Sequence, residues 1–228
     1  MELADGVFDL PVVLDTDGGE RVFHPSAVEL PDGGVLLVDA GFAHTLDQLE
    51  TGLAEHGHAL EDVRYVLLTH QDGDHAGGLA PLRDRLEHRV TVFAHRDDAP
   101  VVEGLEDPVK GDPADRYAPA PVDVQVVDGV ELRTAVGPLQ VVATPGHTPG
   151  HVSCYLPDAG VLLAADATVA EDGELVGPAE RFTPDVARAY ESLGRLAELA
   201  FTDVLCYHGG HVEAGPERVR ELVADAEE

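Results

Sequence analysis

A chain of 228 residues carries 14 Lys and Arg against 44 Asp and Glu, a formal charge of −30 at pH 7, and 44% of its residues are hydrophobic. That length supplies one sizeable core, and its apolar runs fall far short of the roughly 20 residues a membrane span requires. A field this negative repels phosphate backbones and anionic lipid, so nucleic acid and membrane surfaces are excluded as expected partners.

In chain order, short β-branched runs bounded by turn residues alternate with amphipathic stretches. Residues 7–14 and 21–30 read as strands around Asp17-Gly18-Gly19, and Pro31-Asp32-Gly33-Gly34 turns into the apolar strand 35–38. A helix from Thr45 places Leu46, Leu49 and Leu53 on one stripe, and the apolar run 63–68 ends at Thr69-His70. After a short helix over 78–86 and a strand over 90–94, residues 97–121 are rich in Pro, Asp and Gly without periodicity and read as a loop or lid. Strands over 122–127 and 130–134 flank Asp128-Gly129, the signature of a tight hairpin. Strands over 139–143, 152–156 and 161–165 follow, then a helix that Thr183-Pro184-Asp185 opens with a cap and a first-turn proline, with Tyr190, Leu193 and Leu196 on its apolar face. A strand over 204–207 and a helix over 216–226 close the chain. The whole reads as one domain, 1–228, with an insertion at 97–121 and two sheets packed between helices.

Cys154 and Cys206 each lie inside an apolar stretch without a Cys-x-x-Cys partner, which predicts two buried thiols. Lys110 is the single lysine, and this Arg-biased, carboxylate-rich composition resembles salt-adapted proteins whose acidic surfaces stay solvated at molar salt. The N-terminus, Met1-Glu2-Leu3-Ala4-Asp5, lacks a basic opening and an apolar stretch, so a cytoplasmic location is expected.

Six of the 12 histidines sit in three clusters that each follow an apolar strand: 69–75, 144–151 and 207–211. A fourth strand ends on Asp166. Imidazole and carboxylate together suit Zn, Fe, Mn or Co, and His70-x-Asp72-x-Asp74-His75 offers more donors than one tetrahedral ion uses. Two metal ions are therefore expected. No serine lies in Gly-x-Ser-x-Gly and no phosphate-binding Gly-x-x-x-x-Gly-Lys is present, so metal-activated water is the expected nucleophile.

The ordered segments Leu37-Val38-Asp39-Ala40-Gly41, 68–78, Thr144 to His151, Ala165-Asp166 and His208-Gly209-Gly210 resemble the metallo-β-lactamase-fold superfamily over nearly the whole chain. The resemblance implies an α/β fold, an αββα four-layer sandwich of two mixed β-sheets flanked by helices, with a binuclear metal site at one edge. Position by position it implies His70, Asp72 and His147 around a first ion, Asp74, His75 and His208 around a second, and Asp166 bridging them. The family usually has His where this chain has Asp72; flavodiiron members carry Glu there. Zn is the first expectation, with Fe or Mn admitted by the harder aspartate.

Asp39 and His151 are expected to orient ligands by hydrogen bonds, and His24, His211 and Tyr117 are further candidates to reach the pocket. The expected reaction is hydrolysis of a small ester, lactone or thioester by a hydroxide shared between the ions, with Asp74 or Asp166 moving the proton. The 144–151 segment looks like that of glyoxalase II-like thioesterases and lactonases. A di-iron oxygen or redox enzyme of the same fold and a non-catalytic metal-binding protein are the alternatives. The expected partner is a small-molecule substrate, with a homodimer left open.

Overall fold

The structure is a computed structural model that describes residues 1–16 and 19–226; the predicted turn residues Asp17 and Gly18 lie outside them. Its strands are β1 (Glu2–Ala4), β2 (Val7–Asp9), β3 (Val12–Thr16), β4 (Gly19–Phe23), β5 (Ser26–Glu29), β6 (Val35–Val38), β7 (Val63–Leu68), β8 (Thr91–His95), β9 (Val124–Val126), β10 (Glu131–Thr134), β11 (Gly137–Ala143), β12 (Val152–Leu156), β13 (Val161–Ala165), β14 (Val169–Glu171), β15 (Glu174–Val176), β16 (Asp203–Cys206) and β17 (Gly210–Glu213). The helices are α1 (Leu46–Glu55), α2 (Gly73–Ala76), α3 (Leu79–Arg85), α4 (Ala99–Val102), α5 (Val186–Leu196) and α6 (Pro216–Ala226).

One sheet runs β1-β2-β5-β6-β7-β8-β9 and the other β10-β11-β12-β13-β16-β17, with β3-β4 and β14-β15 as separate hairpins. Both large sheets are mixed: β6, β7, β8 and β9 pair in parallel, as do β13 and β16. Strand periodicity sorts their apolar residues into three cores. In β6, Leu36 and Val38 enter the layer between the sheets, while Val35 and Leu37 pack with Leu49 and Leu53 of α1 and Leu82 of α3. In β13, Leu163 faces between the sheets, while Leu162 and Ala164 meet Leu193 of α5 and Leu222 of α6. Strands buried on both faces read as continuous apolar runs for this reason. The result is the expected helix-sheet-sheet-helix sandwich.

Four local expectations are corrected. The run 7–14 breaks into β2 and β3, and 21–30 into β4 and β5, because Pro11 and Pro25 carry no N–H for a sheet ladder. Leu10 N–H donates instead to Pro25 O at 2.8 Å, and β3-β4 peels away as its own hairpin. Asp128-Gly129 joins no hairpin: β9 ends the first sheet, β10 begins the second, and Asp128 Oδ1 accepts from Ala143 N. The cap of α5 is Asp185, whose carboxylate accepts from Arg188 N, so Pro184 precedes the cap; Thr183 donates to Ala179 O. Within 97–121 the chain forms α4 and a single 3-10 turn over Pro113–Asp115. The two cysteines are free and buried, and burial pushes the Cys206 thiol up to about 12. Among the described residues no helix is long and apolar enough to cross a membrane.

Candidate metal centre

Neighbouring strand ends deliver the polar residues to one edge of the sandwich. His70 follows β7, Asp72 immediately precedes the one-turn helix α2, and α2 itself carries Asp74 and His75. Asp166 follows β13 and His208 follows β16, two parallel strands whose carboxyl ends lie side by side. His147 sits in the loop between β11 and β12, and Val152 N donates to Thr69 O at 2.9 Å, which ties that loop to β7 across the two sheets.

The backbone is bent sharply at two of these ends. Asp39 (φ 65°) and Ala165 (φ 50°) both occupy the left-handed region, which is uncommon for residues with a β-carbon and is found where the surroundings enforce it. Gly78 allows the α2-α3 corner to press on the 40–42 loop: a β-carbon there would lie 2.0 Å from Ala40 O.

All seven expected ligand residues meet in one cluster. His70 Nε2 lies 3.4 Å from Asp72 Oδ2, and His147 Nε2 lies 3.1 Å from the same oxygen. His75 Nε2 is 3.3 Å from Asp166 Oδ1, while His147 and His208 Nε2 are 3.2 and 3.3 Å from Asp166 Oδ2. Asp74 Oδ2 lies 3.5 Å from His208 Nε2 and 3.8 Å from His75 Nε2. Two donors bonded at about 2.1 Å to one tetrahedral ion are roughly 3.4 Å apart, so these spacings match edges of a coordination shell. Three sets of atoms lie close enough to share an ion: His70, Asp72 and His147; His70, His75 and Asp166; Asp74, His75 and His208.

Three atoms of the cluster, His70 Nε2, His75 Nε2 and Asp166 Oδ1, are buried without a hydrogen-bond partner. Leaving such groups unpaired costs about 1–3 kcal/mol each, more for a charge. A cation between them removes that cost. The donor set therefore fits divalent metal.

Around the cluster, hydrogen bonds set each ring. Asp39 Oδ2 lies 2.8 Å from His75 Nδ1 and accepts from the Thr69 hydroxyl at 2.8 Å, while Asp39 Oδ1 accepts from Thr69 N. With Nδ1–H committed to Asp39, His75 keeps its Nε2 lone pair for the centre. His151 Nε2 accepts from Asp166 N at 3.1 Å, and its Nδ1 faces the Thr144 hydroxyl at 2.8 Å. Tyr117 donates to Gln71 O at 2.7 Å and packs beside Gly73. His24 and His211 instead face carboxylates, Asp9 at 3.0 Å and Asp203 at 2.8 Å, and neither lines the cleft over the cluster.

Two residues with large roles in this geometry carry no motif. Asp98 is buried and accepts four hydrogen bonds, from Gln71 N and Nε2, the Thr148 hydroxyl and Gly150 N, so it holds the 70–75 and 147–151 loops together. Lys110 reaches in from the 97–121 segment to Asp72 and His147. That it is the single lysine of the chain is the one signal the sequence offers.

Electrostatics couples these groups. Burial alone would lower His75 and His208, but the carboxylates around them, Asp39, Asp166 and Asp74 for the first and Asp166 and Asp74 for the second, outweigh it and raise both above 6.5. Burial pushes Asp166 and Asp72 up, yet the neighbouring imidazoles, joined for Asp72 by Lys110, hold both well below the usual carboxylate range. Burial, with the nearby His70, lowers His147 and His151. In the metal-free chain the raised His75 value stabilises the fold fully below the unfolded 6.5, and this contribution is lost as pH rises through the raised value. Protons and a divalent ion compete for the same imidazole lone pairs. Apparent metal affinity is therefore expected to fall steadily with acidification, which metal titrations at stepwise lower pH measure. An affinity independent of pH would contradict the coupling.

Above the cluster lies a cleft of about 630 Å³ whose apolar wall is Phe23, Phe42, Val169 and Phe182, with Arg21 and Lys110 also lining it.

The chain belongs to the metallo-beta-lactamase superfamily: it matches that family's model over residues 22–208. It is 29% identical to the "Probable metallo-hydrolase YflN" of Bacillus subtilis, over 91% of this chain and 85% of that protein. It is 32% identical to the hydroxyacylglutathione hydrolase of Ruegeria pomeroyi over 78% of this chain, but that match spans 58% of the relative's length. Among solved structures, a metallo-beta-lactamase family protein of Thermus thermophilus aligns with a TM-score of 0.75 at 28% identity, over 99% of this chain and 80% of the other. The protein is a metal-dependent hydrolase of this superfamily, which typically binds divalent metals.

Proposed function

We propose that the protein is a binuclear hydrolase of small esters, lactones or thioesters, with His70, Asp72 and His147 at a first metal position, Asp74, His75 and His208 at a second, and Asp166 between them. The observation that carries this reading is the convergence of three buried, unpartnered ligand atoms at one cleft, His70 Nε2, His75 Nε2 and Asp166 Oδ1. The opposite faces of Asp166 support its bridging role, since Oδ1 meets His75 and Oδ2 meets His147 and His208. When bound, a pair of divalent ions would supply a water acidified towards a pKa of about 7 and a Lewis acid for a carbonyl oxygen.

The chain's own residues do the rest. Phe23, Phe42 and Phe182 exclude water from an acyl group lying in the cleft. Asp74, at the cleft lining, takes the proton of the attacking water and returns it to the leaving oxygen, sulfur or nitrogen. The 97–121 segment acts as a lid, fastened by Tyr117 to Gln71 O. A carboxylate in place of the family's usual histidine makes the first position harder and more negative, so Zn is the first choice and Mn or Fe fit as well. The surplus of carboxylates over basic residues supports a salt-adapted surface.

Chelation decides this reading. Chelator-treated protein is expected to lose hydrolysis of an activated ester, a thiobutyrate ester and a homoserine-type lactone, and to regain it with added Zn, Mn or Fe. Hydrolysis that survives metal removal would refute it. The same Asp72 supports the redox alternative, which elemental iron with visible absorption and oxygen consumption, in place of hydrolysis, would establish.

A further inference from the structure

The two metal positions differ in one respect that the ligand set alone does not reveal. Lys110 places its ammonium nitrogen 2.6 Å from His147 Nε2 and against Asp72 Oδ2, both ligand atoms of the first position. A third donor bond, 3.2 Å to Phe182 O, holds it there.

The histidine is set up to receive it. His147 Nδ1 lies 3.3 Å from Thr183 Oγ1, whose own hydroxyl donates to Ala179 O, so Nδ1 carries the proton and the Nε2 lone pair points into the cluster. That lone pair serves either the lysine or an ion. One oxygen of Asp72 is shared in the same way.

Among the described residues, no such cation touches the second position. His75 is committed through Nδ1 to Asp39, and His208 faces both Asp74 and Asp166. We propose that Lys110 is a built-in competitor for the first metal position, so that the second fills first and the first fills only when an ion displaces the lysine and the segment carrying it.

This rests on the two-position reading of the centre. The cost follows from population arithmetic: if the lysine occupies the position about nine-tenths of the time, apparent affinity there falls about tenfold.

Zn titration of the metal-free protein against a chromophoric chelator, with elemental analysis at each plateau, tests this. Wild type is expected to bind in two steps separated by about tenfold or more in Kd, and Lys110→Met to tighten the weaker step by about tenfold while leaving the stronger one in place. Arg21→Gln removes a cation that lines the same cleft without bonding to the ligand atoms, and is expected to leave both steps unchanged.

Two equal steps in wild type, or an unaltered weaker step in Lys110→Met, would overturn the proposal. So would an equal tightening in Arg21→Gln, which would make the effect one of general field and not of occupancy. If none of the three proteins binds Zn, the metal centre itself is disproved along with it.

Discussion

Replacing Asp166 by alanine is expected to reduce hydrolysis by about a thousandfold or more, since the proposed metal pair would supply several kcal/mol of charge stabilisation and each 1.4 kcal/mol is tenfold in rate. Asp166 touches three of the histidines, 3.3 Å from His75, 3.2 Å from His147 and 3.3 Å from His208. Its loss leaves His75 Nε2, already without a hydrogen-bond partner, facing empty volume, and the second position short of charge.

Asp166→Asn separates charge from shape. The amide fills the same space without the negative charge, and its NH₂ donates to an Nε2 lone pair that would otherwise serve a cation. Its activity is expected to stay near that of the alanine variant, with metal content reduced in both. Retention of activity within tenfold of wild type in either variant would remove Asp166 from the centre.

Asp98→Ala carries the second large effect, this time on stability. Four donors, two of them backbone N–H groups, lose their acceptor inside the protein. At about 1–3 kcal/mol for each buried group left unpaired, with partial relaxation, the expected loss is at least about 3 kcal/mol. Asp98→Asn keeps the shape and is milder, about 1–3 kcal/mol. It cannot be neutral, because Oδ1 accepts from Gly150 N and Oδ2 from Gln71 N, so either amide orientation sets its NH₂ against a backbone N–H. Urea unfolding of both variants measures the difference, and metal affinity should fall in parallel as the 70–75 and 147–151 loops loosen. An alanine variant as stable as wild type would show that the two loops are held by other means.

The donors that converge in the cluster were legible because their signal is local. His70-x-Asp72-x-Asp74-His75 places four donors within six residues at the end of an apolar strand, and the two later histidine clusters and Asp166 repeat the same strand-then-donor pattern. The core layers were legible for a related reason: runs such as 35–38 and 161–165 bury both faces, so their composition announces a central strand. Breaks inside longer runs were harder. Pro11 and Pro25 end strands through the hydrogen bonds they cannot make, and the short hairpin β14-β15 turns at Asp172-Gly173, a favoured dipeptide flanked by strands of only three residues each. Asp128-Gly129 has the same chemistry and yet turns between sheets, because a turn dictates local backbone direction and not the partner that the next strand finds.

The sequence by itself determined the strand-and-helix layering, the donor chemistry and the family, since periodicity and side-chain type are properties of neighbouring residues. Only the tertiary structure decided that Asp98 clamps two loops across 27 and 52 positions of chain, that Asp39 accepts from His75 Nδ1, and that Lys110 reaches His147 across 37 positions and Asp72 as well. Those pairings depend on which distant groups are left buried and unsatisfied once the sheets close, and no local pattern records that.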